Sequence, residues 1–187
     1  MTDVREALLD AAYDAAVTTG WQRARMADVA AAAGVSRQTL YNEFGDRDGL
    51  ALHLALRETR RFLDGVERAL DAHGADLPGG FEAAARFVLR EADDNPLVRS
   101  ILTERGEAGL LPYLTTRAQP LVEVAKQRLV AYLGAHWPGI PAGQAAETAE
   151  VVVRLTLSYI VLPGPARAAA ARRIAAVAAR TLEGIRV

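Results

Sequence analysis

The fold of this chain is decided by residues 20 to 50, which read Gly20-Trp-Gln-Arg-Ala-Arg-Met-Ala-Asp-Val-Ala-Ala-Ala-Ala-Gly-Val-Ser-Arg-Gln-Thr-Leu-Tyr-Asn-Glu-Phe-Gly-Asp-Arg-Asp-Gly-Leu50. Helix-forming residues lie on both sides of Ala33-Gly34-Val35-Ser36, which has the composition of a tight turn. Gly34 permits the positive φ that such a turn requires, and Ser36 is suited to cap the next helix. The stretch predicts two short helices, about 27–33 and 37–43, joined by this turn.

The second of these helices carries side chains that suit the edges of bases. Gln38 and Asn42 could pair with adenine, and Arg37 with guanine or a phosphate. Thr39 and Tyr41 are expected on the same outward side. A helix pair joined by a glycine-containing turn is the geometry that places a recognition helix in the major groove. The stretch therefore indicates binding to double-stranded DNA.

Helical periodicity dominates the remaining sequence. The predicted helices outside the decisive stretch are about 3–18, 47–72, 81–93, 97–104, 117–135, 142–161 and 166–183, with a loop at 73–80. The segment 151–162 is rich in β-branched residues and could form a strand, but its apolar face continues that of the preceding residues, which favours a helix. The sequence therefore predicts an all-α protein of about nine helices.

The fourth helix is expected to begin at Asp46, whose carboxylate can cap it. An apolar stripe would face inward, and acid–base pairs would lie outside it. The stripe is Leu50, Leu54, Phe62, Val66 and Leu70, and the outward pairs are Glu58–Arg61 and Asp64–Arg68. Residues 1–46 are predicted as a three-helix DNA-binding domain, and 47–187 as a second domain.

Composition narrows the class of protein. The 187 residues are 51% hydrophobic, which suffices for a buried core, and the absence of cysteine excludes disulfides and thiolate metal sites. Residues 1–50 hold eight acidic residues against five arginines, but four of these arginines lie between 23 and 47, where they could contact phosphates. Without a long apolar run or a signal-peptide pattern, a cytoplasmic location and no membrane partner are expected.

Residues that could support catalysis are scattered. His53, His73 and His136 lack the spacing of metal ligands, and the acidic residues at 91, 93 and 94 are better explained as a solvated helix end. No nucleophile, phosphate-loop or dinucleotide-binding motif occurs. We therefore expect no enzymatic activity, no cofactor and no metal.

Residues 5 to 60 resemble the TetR family of bacterial transcriptional regulators. The pattern that carries the resemblance is Gly20-Trp21, Val29-Ala30, Ala33-Gly34-Val35-Ser36, Thr39-Leu40-Tyr41, Phe44, Asp46-Arg47 and Leu50. The resemblance implies a DNA-binding regulator in which Tyr41 and Arg47 contact the phosphate backbone. The implied DNA-binding residues are Arg25, Ser36, Arg37, Gln38, Thr39, Tyr41, Asn42 and Arg47.

Two positions depart from the family pattern. Arg25-Met26 stands where the family has a threonine or serine that opens the second helix, so Arg25 is expected to contact a phosphate instead. The first residues also lack the basic arm that many members place in the minor groove. We therefore expect the helix at 37–43 to read the DNA alone.

For the second domain, the resemblance implies a homodimer on an inverted-repeat operator and a cavity for a small hydrophobic effector, such as a fatty-acyl or alkane-like molecule. The candidate lining is Phe62, Phe87, Leu102, Thr103, Leu110, Leu111, Tyr113, Leu114, Trp137 and Tyr159, with Asn95, Glu104 and Ser158 as further polar candidates. For each aromatic residue, ordinary core packing is the alternative. The last two helices are the expected dimer interface, with packing in the core of a single subunit as the alternative, and the small residues that would allow close approach are Ala168, Ala169, Ala175, Ala176 and Ala179.

The sequence leaves other functions open. An all-helical carrier or enzyme could use the helix-turn-helix segment structurally, and a DNA-binding member could be a ligand-independent activator. A repressor is favoured because most members of the family are repressors.

Overall fold

The structure, a computed structural model, describes residues 3–103, 109–164 and 166–182. Within these ranges the chain forms nine α-helices and no strand, so the predicted all-α class is confirmed. The helices are α1 (Val4–Thr18), α2 (Met26–Ala32), α3 (Arg37–Phe44), α4 (Arg47–Asp71), α5 (Leu77–Asp94), α6 (Pro96–Thr103), α7 (Gln119–His136), α8 (Ala142–Val161) and α9 (Arg167–Leu182). Short 3₁₀ turns lie at Trp21–Arg23 and Leu111–Leu114. Each helix of the described ranges is too short or too polar to cross a membrane.

The turn between α2 and α3 forms through the local chemistry that its sequence predicts. Gly34 has a φ of 71°, which residues other than glycine rarely adopt. The Ser36 hydroxyl accepts the backbone N–H of Thr39 at 3.0 Å. Asp46 caps α4 in the same way, with its carboxylate 2.7 Å from the N–H of Gly49. Arg25 precedes α2 without capping it, as the departure from the family pattern implies.

Two hydrophobic cores hold the molecule together, and α4 contributes to both. Leu50, Ala51 and Leu54 at the start of α4 pack with α1, α2, α3, α6 and the Leu111–Leu114 turn. The later part of α4 packs with α5, α7, α8 and α9. Any rotation of α4 would therefore change the packing of both cores.

The loop predicted at 73–80 is shorter than expected, because α5 begins at Leu77. The Asp76 carboxylate accepts the N–H of Gly79 at 3.1 Å and caps the helix, and proline is tolerated in a first turn. A Cβ atom on Gly80 would lie 3.3 Å from Leu70 Cδ2, so this glycine allows α5 to approach α4 closely. The glycines that suggested a loop therefore serve helix packing.

The outward face predicted for α4 is partly wrong. Asp64 pairs with Arg128 of α7 at 2.7 Å rather than with Arg68. Glu58 does pair with Arg61, at 3.1 Å, but it is buried instead of exposed. Glu58 lies four residues from both Leu54 and Phe62, and this helical spacing places it on the inward face.

Helix α9 directs one face into the second core. Ala175 belongs to this face, together with Ala170, Ala171, Ile174 and Ala178, so its expected position at an intermolecular surface is wrong. Ala176 is exposed, and Ala168, Ala169 and Ala179 are half-buried. Four of the five small residues therefore remain available to a dimer contact.

Candidate DNA-binding surface and effector cavity

Helix α3 is anchored on one side and polar on the other. Leu40 and Phe44 are buried, which fixes the helix against the first core. The side chains expected to reach DNA, which are Arg37, Gln38, Tyr41 and Asn42, are exposed. Gln38 Nε2 donates to Asn42 Oδ1 at 2.8 Å, so the two amides form one unit on the outer face. The side-chain carbonyl of Gln38 and the side-chain amino group of Asn42 are not used in this hydrogen bond and can bind base edges.

Three of the remaining predicted DNA contacts, Ser36, Thr39 and Arg47, have roles within the protein. The Thr39 hydroxyl lies 2.9 Å from the Ser36 hydroxyl, so both belong to the cap of α3. Arg47 donates to the backbone carbonyl of Trp21, and its guanidinium carbon lies 5.5 Å from the centre of the Trp21 ring. Arg47 therefore holds the segment before α2 against α4, and its contact with a phosphate stays a prediction.

The acidic residues that outnumber the arginines in residues 1–50 are largely engaged inside the protein. Asp3 and Asp46 cap helices. Other acids pair with arginines, as in Arg5–Glu43 at 3.5 Å, Arg57–Asp10 at 2.7 Å and Arg117–Asp48 at 2.9 Å. Arg25 and Arg37 are exposed, and neither has a carboxylate within ion-pair distance in the described chain. The cations nearest the recognition helix thus remain available for phosphates.

A cavity of about 170 Å³ lies among α4, α5, α7 and α8, and residues of α6 and of the Leu111–Leu114 turn also line it. Its wall is almost wholly apolar. Of the predicted lining, Phe62, Leu110, Tyr113 and Leu114 contribute to the wall, as does Asn95. Residues that sequence reasoning missed include Leu54, Glu58, Thr59, Val88, Ala125, Val152 and Thr156.

The other predicted lining residues, which are Phe87, Leu102, Thr103, Leu111, Trp137, Tyr159 and Ser158, lie outside this wall. Phe87 packs on Gly65, where an added Cβ atom would lie 2.0 Å from its ring. The Trp137 ring lies 6.0 Å from that of Tyr132 at the end of α7. Thr103 and Ser158 are exposed, and Glu104 lies outside the described residues. Aromatic character marks buried surface, but it does not say which side of a helix faces a cavity.

Arg57 connects α4 to α1 beside the cavity. Although it is charged, only 6% of its surface is exposed. Its guanidinium donates to Asp10 Oδ1 at 2.7 Å, to the Leu9 carbonyl at 3.2 Å and to Glu58 Oε1 at 3.1 Å, and lies 3.5 Å from Glu6 Oε2. Because Glu58 lines the cavity, a single side chain separates the cavity wall from α1 of the DNA-binding domain.

A second connection joins the cavity wall to the first turn of α4. The Tyr113 hydroxyl donates to the backbone carbonyl of Asp48 at 3.0 Å, and Arg117 Nη1 donates to the Asp48 carboxylate at 2.9 Å. Burial raises the pKa of Tyr113, and the nearby Asp48 carboxylate adds to the effect. The hydroxyl therefore stays protonated and remains a donor throughout the neutral range.

Known proteins share this arrangement of a helix-turn-helix and a helical cavity domain. Residues 8–54 match the family described as bacterial regulatory proteins, tetR family, and residues 76–180 match the bacterial tetracyclin repressor, C-terminal domain. The chain belongs to the TetR family. As a TetR-family regulator it is a ligand-responsive DNA-binding protein, and the family expected from residues 5 to 60 is confirmed.

Individual relatives agree over most of the chain. The HTH-type transcriptional regulator AlkX of Mycobacterium tuberculosis is 38% identical over 160 residues, which cover 86% of this chain and 76% of the relative. The crystal structure of a TetR family repressor AlkX from Dietzia sp., implicated in biodegradation of n-alkanes, is 32% identical with a TM-score of 0.84, covering 97% of this chain and 96% of that one. Thermus thermophilus FadR in complex with lauroyl-CoA shares the fold at 21% identity, with a TM-score of 0.65 and coverage of 98% and 95%.

Proposed function

We propose that this TetR-family regulator is a repressor that binds an inverted-repeat operator as a homodimer and is released by an aliphatic effector. The observation that carries the proposal is the almost wholly apolar cavity whose wall includes α4. An apolar pocket with few polar groups suits a hydrophobic ligand. The AlkX repressor implicated in n-alkane biodegradation, 32% identical to this chain, supports an effector of the alkane or fatty-acyl class.

DNA recognition is assigned to α3. Its exposed Arg37, Gln38 and Asn42 have the hydrogen-bonding groups that distinguish bases in the major groove. Tyr41, Arg25 and Arg47 are proposed to contact phosphates on either side. Since one such helix covers few base pairs, two copies related by a two-fold axis would read the two half-sites.

The outer faces of α8 and α9 are the proposed dimer contact. Val151 of α8 and Leu162, the residue after this helix, are exposed apolar side chains, with 37% and 76% of their surfaces accessible. On α9, the exposed Ala176 allows a partner helix to approach closely. A two-fold axis through these faces would make a four-helix contact in which each subunit presents the same surface.

Release from DNA is proposed to pass through α4. An effector must bind the DNA-incompetent form more tightly than the competent form in order to act. The cavity wall reaches α1 through Arg57 and the start of α4 through Tyr113. A shift of α4 that accommodates the effector would therefore move α1 and, with it, the separation of the two recognition helices.

Replacing Arg37 with alanine is expected to weaken operator binding at least about fivefold, since a bidentate arginine–guanine contact is worth about 1–3 kcal/mol. The measurement is a gel shift on DNA flanking the gene of this protein, with excess non-specific competitor at physiological salt. Arg90→Ala is the matched control, because Arg90 is an exposed arginine of α5. If neither variant alters a competitor-resistant shift, α3 does not read the operator. Absence of any shift by the wild type would favour an all-helical carrier.

A further inference from the structure

Glu58 is a buried acid in an otherwise apolar wall. It lines the cavity, and only 9% of its surface is exposed. Its neighbours on the same face of α4 are Leu54 and Phe62. Burial of a carboxylate is unfavourable unless hydrogen bonds compensate for the lost water. The partners of each carboxylate oxygen therefore decide what this residue does.

The two oxygens of Glu58 differ in their partners. Oε1 accepts from Arg57 Nε and from Arg61 Nη1, both at 3.1 Å. Oε2 accepts a hydrogen bond from no residue that the structure describes. Buried polar groups are nearly always paired, so an acceptor left over on a residue that lines the cavity calls for a donor from elsewhere.

The other side-chain oxygens of the wall are already engaged. The Thr59 hydroxyl donates to the Ala55 carbonyl at 2.8 Å, and the Thr156 hydroxyl donates to the Val152 carbonyl at 2.8 Å. Tyr113 is occupied by Asp48, and the side-chain carbonyl of Asn95 caps α6 by accepting the N–H groups of two residues. These oxygens are held by the protein, whereas Glu58 Oε2 has no donor among the described residues and is left for a ligand.

The charges around Glu58 favour a neutral donor. Two arginines, Arg57 and Arg61, meet three carboxylates at Glu58, Asp10 and Glu6. Asp10 and Glu6 are about half exposed to water, so the Glu58 carboxylate is the charge of this cluster that lies beside the cavity. A ligand that brought its own carboxylate would meet this charge in a medium of low dielectric constant, where repulsion is strong.

We propose that Glu58 Oε2 accepts a hydrogen bond from the terminal O–H group of the effector, which is a neutral aliphatic chain ending in a hydroxyl or a protonated carboxyl. This assignment rests on the proposed function, since it specifies the head group of the same ligand. The aliphatic chain would extend along the apolar wall, and the O–H would lie beside the residue that contacts Arg57. Head-group binding would then act on the contact that joins α4 to α1.

The test compares ligands that differ only at the head group. Binding of 1-decanol, decyl methyl ether and sodium decanoate at pH 8 is measured by isothermal titration calorimetry with the full chain. The ether keeps the oxygen atom but cannot donate, and the decanoate is ionised at this pH. The wild type is expected to bind 1-decanol at least tenfold more tightly than either compound, which corresponds to about 1.4 kcal/mol.

Variants assign this preference to Glu58. In Glu58→Met, the affinities for 1-decanol and the ether are expected to agree within about twofold. Glu82→Met is the matched control, since Glu82 pairs with Arg86 on α5 away from the cavity wall, and it should keep the tenfold preference. Glu58→Gln keeps a carbonyl acceptor and should retain part of the preference.

The outcomes separate the two proposals. Equal binding of 1-decanol and the ether to the wild type, or tighter binding of decanoate, would overturn the role of Glu58 and leave an aliphatic effector in place. An unchanged preference in Glu58→Met would also overturn it. If the wild type binds its operator but none of the three compounds, the aliphatic effector of the proposed function falls, and the head-group assignment falls with it.

Discussion

Replacing Arg57 with methionine is expected to lower the free energy of unfolding by about 3 kcal/mol and to disconnect effector binding from DNA release. Arg57 is the most deeply buried member of an ion-pair cluster that joins α4 to α1. Removing one partner of a buried pair leaves the others without compensation. The cost falls at the lower end of the usual range because Asp10 and Glu6 keep much of their contact with water.

The coupling effect has a separate cause. Arg57 contacts both Glu58 of the cavity wall and the Leu9 carbonyl of α1. Methionine fills a similar volume but can make neither contact, so a movement of the wall would no longer reach α1 through this residue. We expect the Arg57→Met variant still to bind 1-decanol alone and operator DNA alone. Adding 1-decanol should, however, lower the operator affinity of the variant much less than it lowers that of the wild type.

Stability is measured by urea denaturation, and coupling by fluorescence anisotropy of labelled operator with and without 1-decanol. Arg60→Met is the matched control, because Arg60 is an exposed arginine of the same helix. The stability and the coupling of Arg57→Lys should lie between those of the wild type and Arg57→Met, since lysine keeps the charge but not the planar set of donors. Full release by 1-decanol in Arg57→Met would show that coupling does not pass through this side chain.

Replacing Gly49 with alanine is expected to reduce specific DNA binding at least about fivefold by displacing α3, since one misplaced base contact costs about 1–3 kcal/mol. A Cβ atom on Gly49 would lie 1.9 Å from the carbonyl oxygen of Phe44, the last residue of α3. Because the obstacle is backbone, no rotation of a side chain relieves it. Either α3 moves away from α4 or the first turn of α4, which Asp46 caps, comes apart.

The measurement pairs operator affinity with thermal unfolding. Gly134→Ala is the control, because no atom lies within 4 Å of the added Cβ atom and alanine favours a helix. That variant should bind DNA normally and unfold at the same or a slightly higher temperature. Wild-type affinity in Gly49→Ala would mean that the contact between α3 and α4 does not position the recognition helix.

The DNA-binding end could be predicted from sequence because its structure depends on local chemistry. A positive φ at Gly34 and carboxylate or hydroxyl caps at Asp46 and Ser36 are each determined within a few residues. The type of the other helices was also predictable, since their apolar periodicity extends over several turns. The start of α5 was missed because glycine is ambiguous between a loop and a close helix contact, as Gly80 illustrates.

The cavity and its connections depend on how distant helices pack. Arg57 meets Asp10 across 47 positions of sequence, and Tyr113 meets Asp48 across 65. The periodicity of apolar residues along the sequence gives no information about such distant pairs. The net charge of residues 1–50 was a misleading indicator of DNA binding. Most of the acidic residues that outnumber the arginines there are engaged in helix caps and ion pairs. Glu58 carried a usable signal, its helical spacing from Leu54 and Phe62.

The most direct measurement is the affinity of the wild-type protein for DNA flanking its own gene, by fluorescence anisotropy at physiological salt, as 1-decanol is added. Non-specific DNA in excess and glycerol in place of 1-decanol serve as controls. A repressor released through the apolar cavity should bind the DNA tightly and lose at least about fivefold in affinity, which corresponds to a coupling free energy of about 1 kcal/mol. Specific binding that no aliphatic compound weakens would contradict release through the cavity.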